Sequence, residues 1–305
     1  MVGVGATVVC RDVSGIYRHF PYPIEHMKGE LKLENGSIRL KLRSFVGGKP
    51  IVLEGTIDNP GPDAIVRLGI EAESVPVDQK LFDAIPPDVR KVVSQFQPSG
   101  SAQASVKIFR KPSVGPMVRP EGDFFLDAVI DLKERCSIRW AGLPYPVRNL
   151  TGRLTIHPDL WIFENMRGGN GQALIKADGQ VRKLPLPRLP NGEEPLKVEV
   201  AVNAENLLFN DELRDSLQPA WRRTWTTINP TGSTDVRAKV DIEPGRPDSV
   251  HIELRPRPKA NIRLVVPTLD PNFTPELPME NVTGLFVFHN DEVTMTRAGF
   301  DFRGA

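Results

Sequence analysis

From Glu30 to Arg43 the chain reads "ELKLENGSIRLKLR", with Leu31, Leu33, Ile38, Leu40 and Leu42 on one side and Lys32, Arg39, Lys41 and Arg43 on the other. A period of two belongs to a strand with one dry and one wet face. Asn35-Gly36 supplies the two positive φ angles of a type I′ turn. That turn pairs Leu33 with Ile38 and Leu31 with Leu40, so the apolar side stays unbroken across the hairpin. "GGKPIVLEGTID" continues the alternation with Ile51, Leu53 and Ile57, and "AIVRLGIEAES" and "SAQASVKIFR" add further strands. In "DFFLDAVIDL", Phe124, Leu126, Ala128, Ile130 and Leu132 oppose Asp127 and Asp131. One-sided strands of this kind belong to antiparallel sheets. The exception is residues 78–96, where Leu81, Phe82, Ile85, Val89, Val92, Val93 and Phe96 recur at helical spacing. Asp78 is placed to cap this segment, and Pro86-Pro87 divides it into two short helices with Pro87 in a first turn.

The pattern returns. "FPYPIEHMKG" at 20–29 matches "LPYPVRNLTG" at 143–152, and "LPMENVTG" ends at Gly284. Two prolines two apart forbid helix and remove two donors, which predicts a stiff extended connector. Residues 66–100 lie without a gap on 198–232, with identities at Ala72/Ala204, Glu73/Glu205, Leu81/Leu213, Asp83/Asp215, Pro87/Pro219, Arg90/Arg222, Pro98/Pro230 and Gly100/Gly232. Asn210 then takes the capping place, and Leu213, Leu217, Trp221, Trp225 and Ile228 follow it. The offset is 123 for the connectors and 132 for the later block, so residues enter the second copy, most simply in "KLPLPRLPNGEEP". The expected organisation is an end strand over 1–19, a first repeat over 20–122, a second over 123–272 with its proline-rich insert near 183–195, and the start of a third over 273–305. The fold class expected is mainly β: repeated antiparallel strands in an elongated curled sheet or groove, with one short broken helix per repeat. The chain reads as a section of a longer array.

Composition narrows the function. Lysine and arginine number 39 against 38 acidic residues, a formal charge of +1 with no basic run, which speaks against nucleic acid. Hydrophobic residues make up 40%, yet no stretch approaches the roughly 20 apolar residues of a bilayer helix, so no transmembrane segment is expected. The opening "MVGVGATVVCRDV" lacks the parts of a signal peptide and reads as a strand. Cys10 and Cys136 stand without a CxxC or an adjacent histidine, so neither a disulfide framework nor a metal site is expected. The 29 prolines imply short elements and many turns.

Candidates for chemistry are thin. His157 and His289 hold equivalent places beside Asp159 and Asp291, where the first copy has Glu34-Asn35-Gly36, so a shared turn explains all three. The glycine pairs at 47–48 and in "GGNG" at 168–171 lie between alternating strands, which favours turns or bulges over phosphate loops. Glu71 and Glu73 share one face of a strand, expected to be the solvated one. The sequons at Asn149 and Asn281 belong to a recurring N-φ-T-G turn. Trp221 and Trp225, four apart, read as helix packing, with interfacial anchoring as the lesser alternative. Glu54, Asp58, His157 and Asp178 would need to converge before an enzyme acting on envelope lipid or polysaccharide could be argued. No catalytic residue, cofactor or metal is expected.

The connector, the alternating strands, the glycine pair, the "AESVP" or "AEN" strand end and the short helix together resemble the AsmA-like superfamily, including TamB-type proteins. The resemblance implies a long sheet curled into a groove in the cell envelope of diderm bacteria, in outer-membrane homeostasis, phospholipid movement between membranes or, for TamB, outer-membrane protein assembly. It implies a periplasmic location and membrane association through regions outside this sequence. The residues alone leave two covers for the dry face, a second sheet or acyl chains. If acyl chains, the contact set is Leu31, Leu33, Ile38, Leu40, Leu42, Ile51, Leu53, Leu126, Ile130, Leu154 and Ile156, and the partner is phospholipid. The alternative is a structural or adhesive β-repeat protein that binds other envelope proteins.

Overall fold

A computed structural model describes residues 5–17, 20–85, 87–112, 123–190, 192, 194–266, 275–289 and 292–302. Among the described residues, sixteen strands form one antiparallel sheet that is open rather than closed into a barrel. They are β1 (Ala6–Tyr17), β2 (Phe20–Glu34), β3 (Ser37–Val46), β4 (Lys49–Asp58), β5 (Ile65–Pro76), β6 (Ser101–Lys111), β7 (Asp123–Trp140) and β8 (Leu143–His157). There follow β9 (Leu160–Asn170), β10 (Ala173–Lys183), β11 (Leu196–Leu208), β12 (Ser233–Ile242), β13 (Ser249–Pro256), β14 (Ile262–Val265), β15 (Glu276–His289) and β16 (Glu292–Phe302). Sheet order follows chain order from β1 to β13; β15 comes next, flanked by β14 and β16. Two helices, α1 (Gln79–Ala84) and α2 (Pro87–Ser94), stand between β5 and β6, and α3 (Asp211–Ser216) and α4 (Pro219–Ile228) between β11 and β12.

Internal contacts group the chain into two units. The first comprises Met1–Ser94, Pro98–Cys136 and Thr151–Ile162; the second comprises Gln95–Gln97, Ser137–Leu150 and Phe163–Ala305.

In the first unit the β2–β3 hairpin has the register expected, with Leu33 opposite Ile38 and Leu31 opposite Leu40. Asn35 and Gly36 carry φ of 50° and 75°, so both turn residues have the sign that a type I′ turn requires. Directly opposed residues share a face. One row therefore runs Leu40, Gly55, Leu68, Ile108, Leu126, and the next runs Leu42, Leu53, Ile70, Val106, Ala128. A third row runs Ser44, Ile51, Ala72, Ala104, Ile130; Ser44 is nearly inaccessible and donates its hydroxyl to the Glu25 carbonyl. The opposite face pairs Lys41 with Glu54, Arg67 with Asp58, and Ser105 with Glu71. Glu71 thus lies on the polar face, as expected.

The second unit is patterned alike. Ala177, Val202, Ala238, Ile252, Phe288 and Val293 form one row, and Ile175, Ala204, Val236, Leu254, Phe286 and Met295 another. Its polar face carries Lys176–Glu205 and Gln180–Glu199 contacts.

The helices follow their sequence signals. The Asp78 carboxylate accepts from the Leu81 amide at 3.0 Å, and the Asn210 side chain accepts from Leu213 at 2.9 Å. Pro87 and Pro219 open α2 and α4, where a missing N–H costs nothing. Arg90 and Arg222 explain one shared identity: Arg90 Nε donates to the Ile85 carbonyl at 3.3 Å, and Arg222 Nε to the Leu217 carbonyl at 2.6 Å. Each guanidinium staples the second short helix to the end of the first, where carbonyls lack helical partners.

Three expectations are corrected. The proline-containing stretches are not connectors between elements, for Phe20–Gly29 and Leu143–Gly152 lie within β2 and β8. The β1–β2 register shifts repeatedly between Val13/Met27 and Tyr17/Phe20, and such irregular pairing tolerates prolines that cannot donate. The N-φ-T-G motif is not a turn either: Asn149 and Asn281 hold φ of 52° and 51° inside their strands, as does His26, at the equivalent place in the first copy, with 57°. At Asn281 the β15–β16 register shifts, which identifies a bulge; its amide donates to Asn261 Oδ1 and its side chain to Asp301. Finally, Gly47-Gly48 forms the β3–β4 turn, whereas Gly168-Gly169 lies inside β9 and the following turn is Gly171-Gln172. A Cβ at Gly168 would sit 2.6 Å from Val147 Cγ1, so close approach of the neighbouring strand favours glycine there.

Candidate functional site

Nine of the eleven candidate lipid-contact residues belong to the apolar rows of the first unit: Leu31, Leu33, Ile38, Leu40, Leu42, Ile51, Leu53, Leu126 and Ile130. Leu154 and Ile156 lie on β8, in the same unit. Leu40, Leu42 and Ile51 are buried and the other eight half-buried. Leu42 joins Cys10 and Met27 in a small cluster flanked by Ile24, Leu31 and Leu53. The alternation that identified the first set extends to Val200, Val202, Ile252, Phe286 and Phe288 in the second unit, which the candidate set lacks.

In the first unit's rows Leu40, Leu42, Ile51, Ala72, Ile108 and Ala128 are buried, and the other large apolar members are half-buried. Among the described residues, the main packing partners that are not neighbouring strands are α1 with β2, α4 with β14, α3 with α4, and β3 with β5. Trp221 of α4 meets the Phe288 ring edge-on at 5.5 Å and Trp225 meets Phe209 at 5.7 Å, yet no residue of α4 is buried. The tryptophans therefore pack on the sheet side of a loosely seated helix.

The polar candidates do not converge. Glu54 faces Lys41, Asp58 accepts from Ser37 and Arg67, and Asp178 accepts from the Asn165 amide. His157 reaches Asp127 at 2.8 Å rather than Asp159, and His289 lies against His251; Asp291 is outside the described residues. The Ser37 hydroxyl, then Arg67, holds the Asp58 carboxyl below its ordinary range, and Arg153 does the same for Asp131. One polar network in the second unit joins three elements. Arg148 donates to Asn170 and to Glu212, and Asn170 donates to Glu212 at 2.7 Å, which lowers the Glu212 carboxyl. Burial raises the neighbouring Tyr145 hydroxyl. This network ties α3 to β8 and β9, and its donors and acceptors satisfy one another rather than a substrate.

A cavity of about 370 Å³ lies among Asp241, Glu243, Arg246, Asp248, Ser249 and His289. Among the described residues, no three His, Cys, Asp or Glu side chains are arranged to hold a metal ion, and no helix is long and apolar enough to cross a membrane. Cys10 and Cys136 are buried free thiols. No family model matches the chain, and no curated protein or solved structure is significantly similar to it.

Proposed function

We propose that the chain is a non-enzymatic, repeat-built protein of the bacterial cell envelope whose apolar sheet face accommodates phospholipid acyl chains, in outer-membrane lipid transport or homeostasis. The observation that carries this reading is the unbroken run of apolar rows across β2 to β7, in which Leu53, Leu68, Ile70, Val106, Leu126 and Ile130 remain half-buried. A partly accessible apolar face of this length favours an apolar occupant. Acyl chains need no directional partner, which fits rows made of hydrocarbon side chains. The repeat division is supported by matched detail: equivalent helix caps at Asp78 and Asn210, equivalent staples at Arg90 and Arg222, and positive φ at His26, Asn149 and Asn281. On this reading the strands curl into a groove like that of AsmA-like proteins, and the location is the periplasm of a diderm bacterium.

A second reading, a structural or adhesive β-repeat protein, is favoured by the edge strand β1. There Val8, Val9 and Ile16 are 57%, 61% and 66% exposed, an apolar edge suited to strand addition by another protein. Gentle purification followed by native mass spectrometry and lipid extraction separates the two. Bound phospholipid, lost when Val106 is replaced by aspartate on a half-buried apolar row, is the expected result. A folded chain that is free of lipid and takes up none from added vesicles would overturn the proposal and favour the adhesive reading.

A further inference from the structure

Five cations share the polar face of the β2–β3 hairpin: Lys28, Lys32, Arg39, Lys41 and Arg43. The register sets Lys28 directly opposite Arg43 and Lys32 directly opposite Arg39. Like charges so placed repel, and a sheet built for stability alone would pair each with a carboxylate. Lys32 reaches Glu30 at 3.6 Å and Lys41 reaches Glu54 at 4.0 Å, the longest of contacts. Among the described residues Lys28, Arg39 and Arg43 meet no carboxylate. All five side chains are exposed; over the paired residues 28–43 the acidic residues of that face are Glu30 and Glu34, and Glu25 is a further exposed carboxylate earlier in β2. Two large apolar side chains flank the cations on the same face. Phe45, two residues beyond Arg43, is 72% exposed, and Val9, opposite Glu30 on β1, is 61% exposed.

We infer that this face docks on an anionic lipid surface, with the cations against phosphate head groups and Phe45 in the interfacial layer. Opposed cations that repel in water are both neutralised by such a surface, so the unfavourable pairs become favourable on contact. An exposed aromatic beside cations adds an apolar contribution that a purely ionic partner would not use. The carboxylates of Glu30 and Glu34 break any continuous cation track for a nucleic-acid backbone, whereas lipids diffuse laterally and arrange around them. This is the opposite face from the proposed acyl-chain rows and a different chemistry, so the inference goes beyond that reading.

The test is co-sedimentation of the full chain with vesicles of phosphatidylcholine alone and of phosphatidylcholine with about a third phosphatidylglycerol. The expected result is binding to the anionic vesicles only, released as salt rises. The double variant Arg39→Gln/Arg43→Gln should weaken it about twenty-five-fold, at roughly fivefold per cation removed. Phe45→Ser should weaken it at every salt concentration. Equal binding to both vesicles, or anionic binding indifferent to salt, would overturn the inference without needing any variant. So would a single-stranded DNA oligomer that binds while the vesicles do not, which would assign the patch to nucleic acid. A chain that carries extracted lipid but ignores anionic vesicles sinks this inference alone; a lipid-free chain that binds them leaves it standing.

Discussion

Replacing Gly100 by alanine probes how tightly β6 passes under β7. Gly100 has φ of 106°, and a Cβ there would lie 2.6 Å from the Arg135 carbonyl oxygen and 2.8 Å from Cys136 Cα. Both contacts are backbone, so no side chain can swing aside. An alanine forced to this φ costs about 1 kcal/mol, and the overlap adds about 1–3 kcal/mol. Gly36 supplies the control: its φ is 75° and nothing lies within 4 Å of an added Cβ, so Gly36→Ala should lose the backbone part alone, about 1 kcal/mol. In urea, with a slope of about 2 kcal/mol/M, the midpoint should fall by roughly 1–2 M for Gly100→Ala and about 0.5 M for Gly36→Ala. Far-UV circular dichroism follows the sheet. Labelling of Cys136 reports the same unit, because that thiol is buried and donates to the Ser101 carbonyl at 3.0 Å. If Gly100→Ala loses no more than Gly36→Ala, the close approach does not constrain the fold and the reasoning fails.

Arg222→Ala should cost about 1–2 kcal/mol by removing a charged donor from the Leu217 carbonyl, and should speed hydrogen exchange across residues 211–228 before the sheet is affected. Asn210→Ala should cost about 1 kcal/mol by leaving the Leu213 amide unpaired, read from the urea midpoint of the second unit. Acid should loosen α3. The Asn170 amide, then Arg148, depresses Glu212 below its ordinary 4.5, so its contribution is present above that pH and lost as pH falls through the lower folded value. Tryptophan fluorescence should therefore be flat from neutrality down to about pH 5 and change below it, while Glu212→Gln removes the step. Burial raises Tyr145, so its absorbance titration should lag free tyrosine; its stabilisation is present below the ordinary 10.0 and lost as pH rises through the folded value.

Local geometry was legible in the sequence wherever one residue's neighbours decide it. The Asn35-Gly36 turn fixed which leucines oppose each other, Asp78 and Asn210 announced the helix starts, and alternation placed nine candidate residues on one face. Alternation has no range limit along a strand, so a period of two survives whatever the tertiary context. What only the tertiary structure decided was what crosses between strands. The first proline stretch is accommodated in strand where the β1–β2 register shifts around it, and His26, Asn149 and Asn281 became mid-strand features, an outcome local propensity cannot distinguish from a turn. The Arg90 and Arg222 identities gained a meaning only when two short helices were set end to end. Cations that look dispersed along the chain became opposed pairs, since a hairpin brings residues 28 and 43 together although fourteen residues separate them. The sequence chose a face for each side chain; pairing chose its neighbours, because interstrand register is a property of two segments and is written in neither alone.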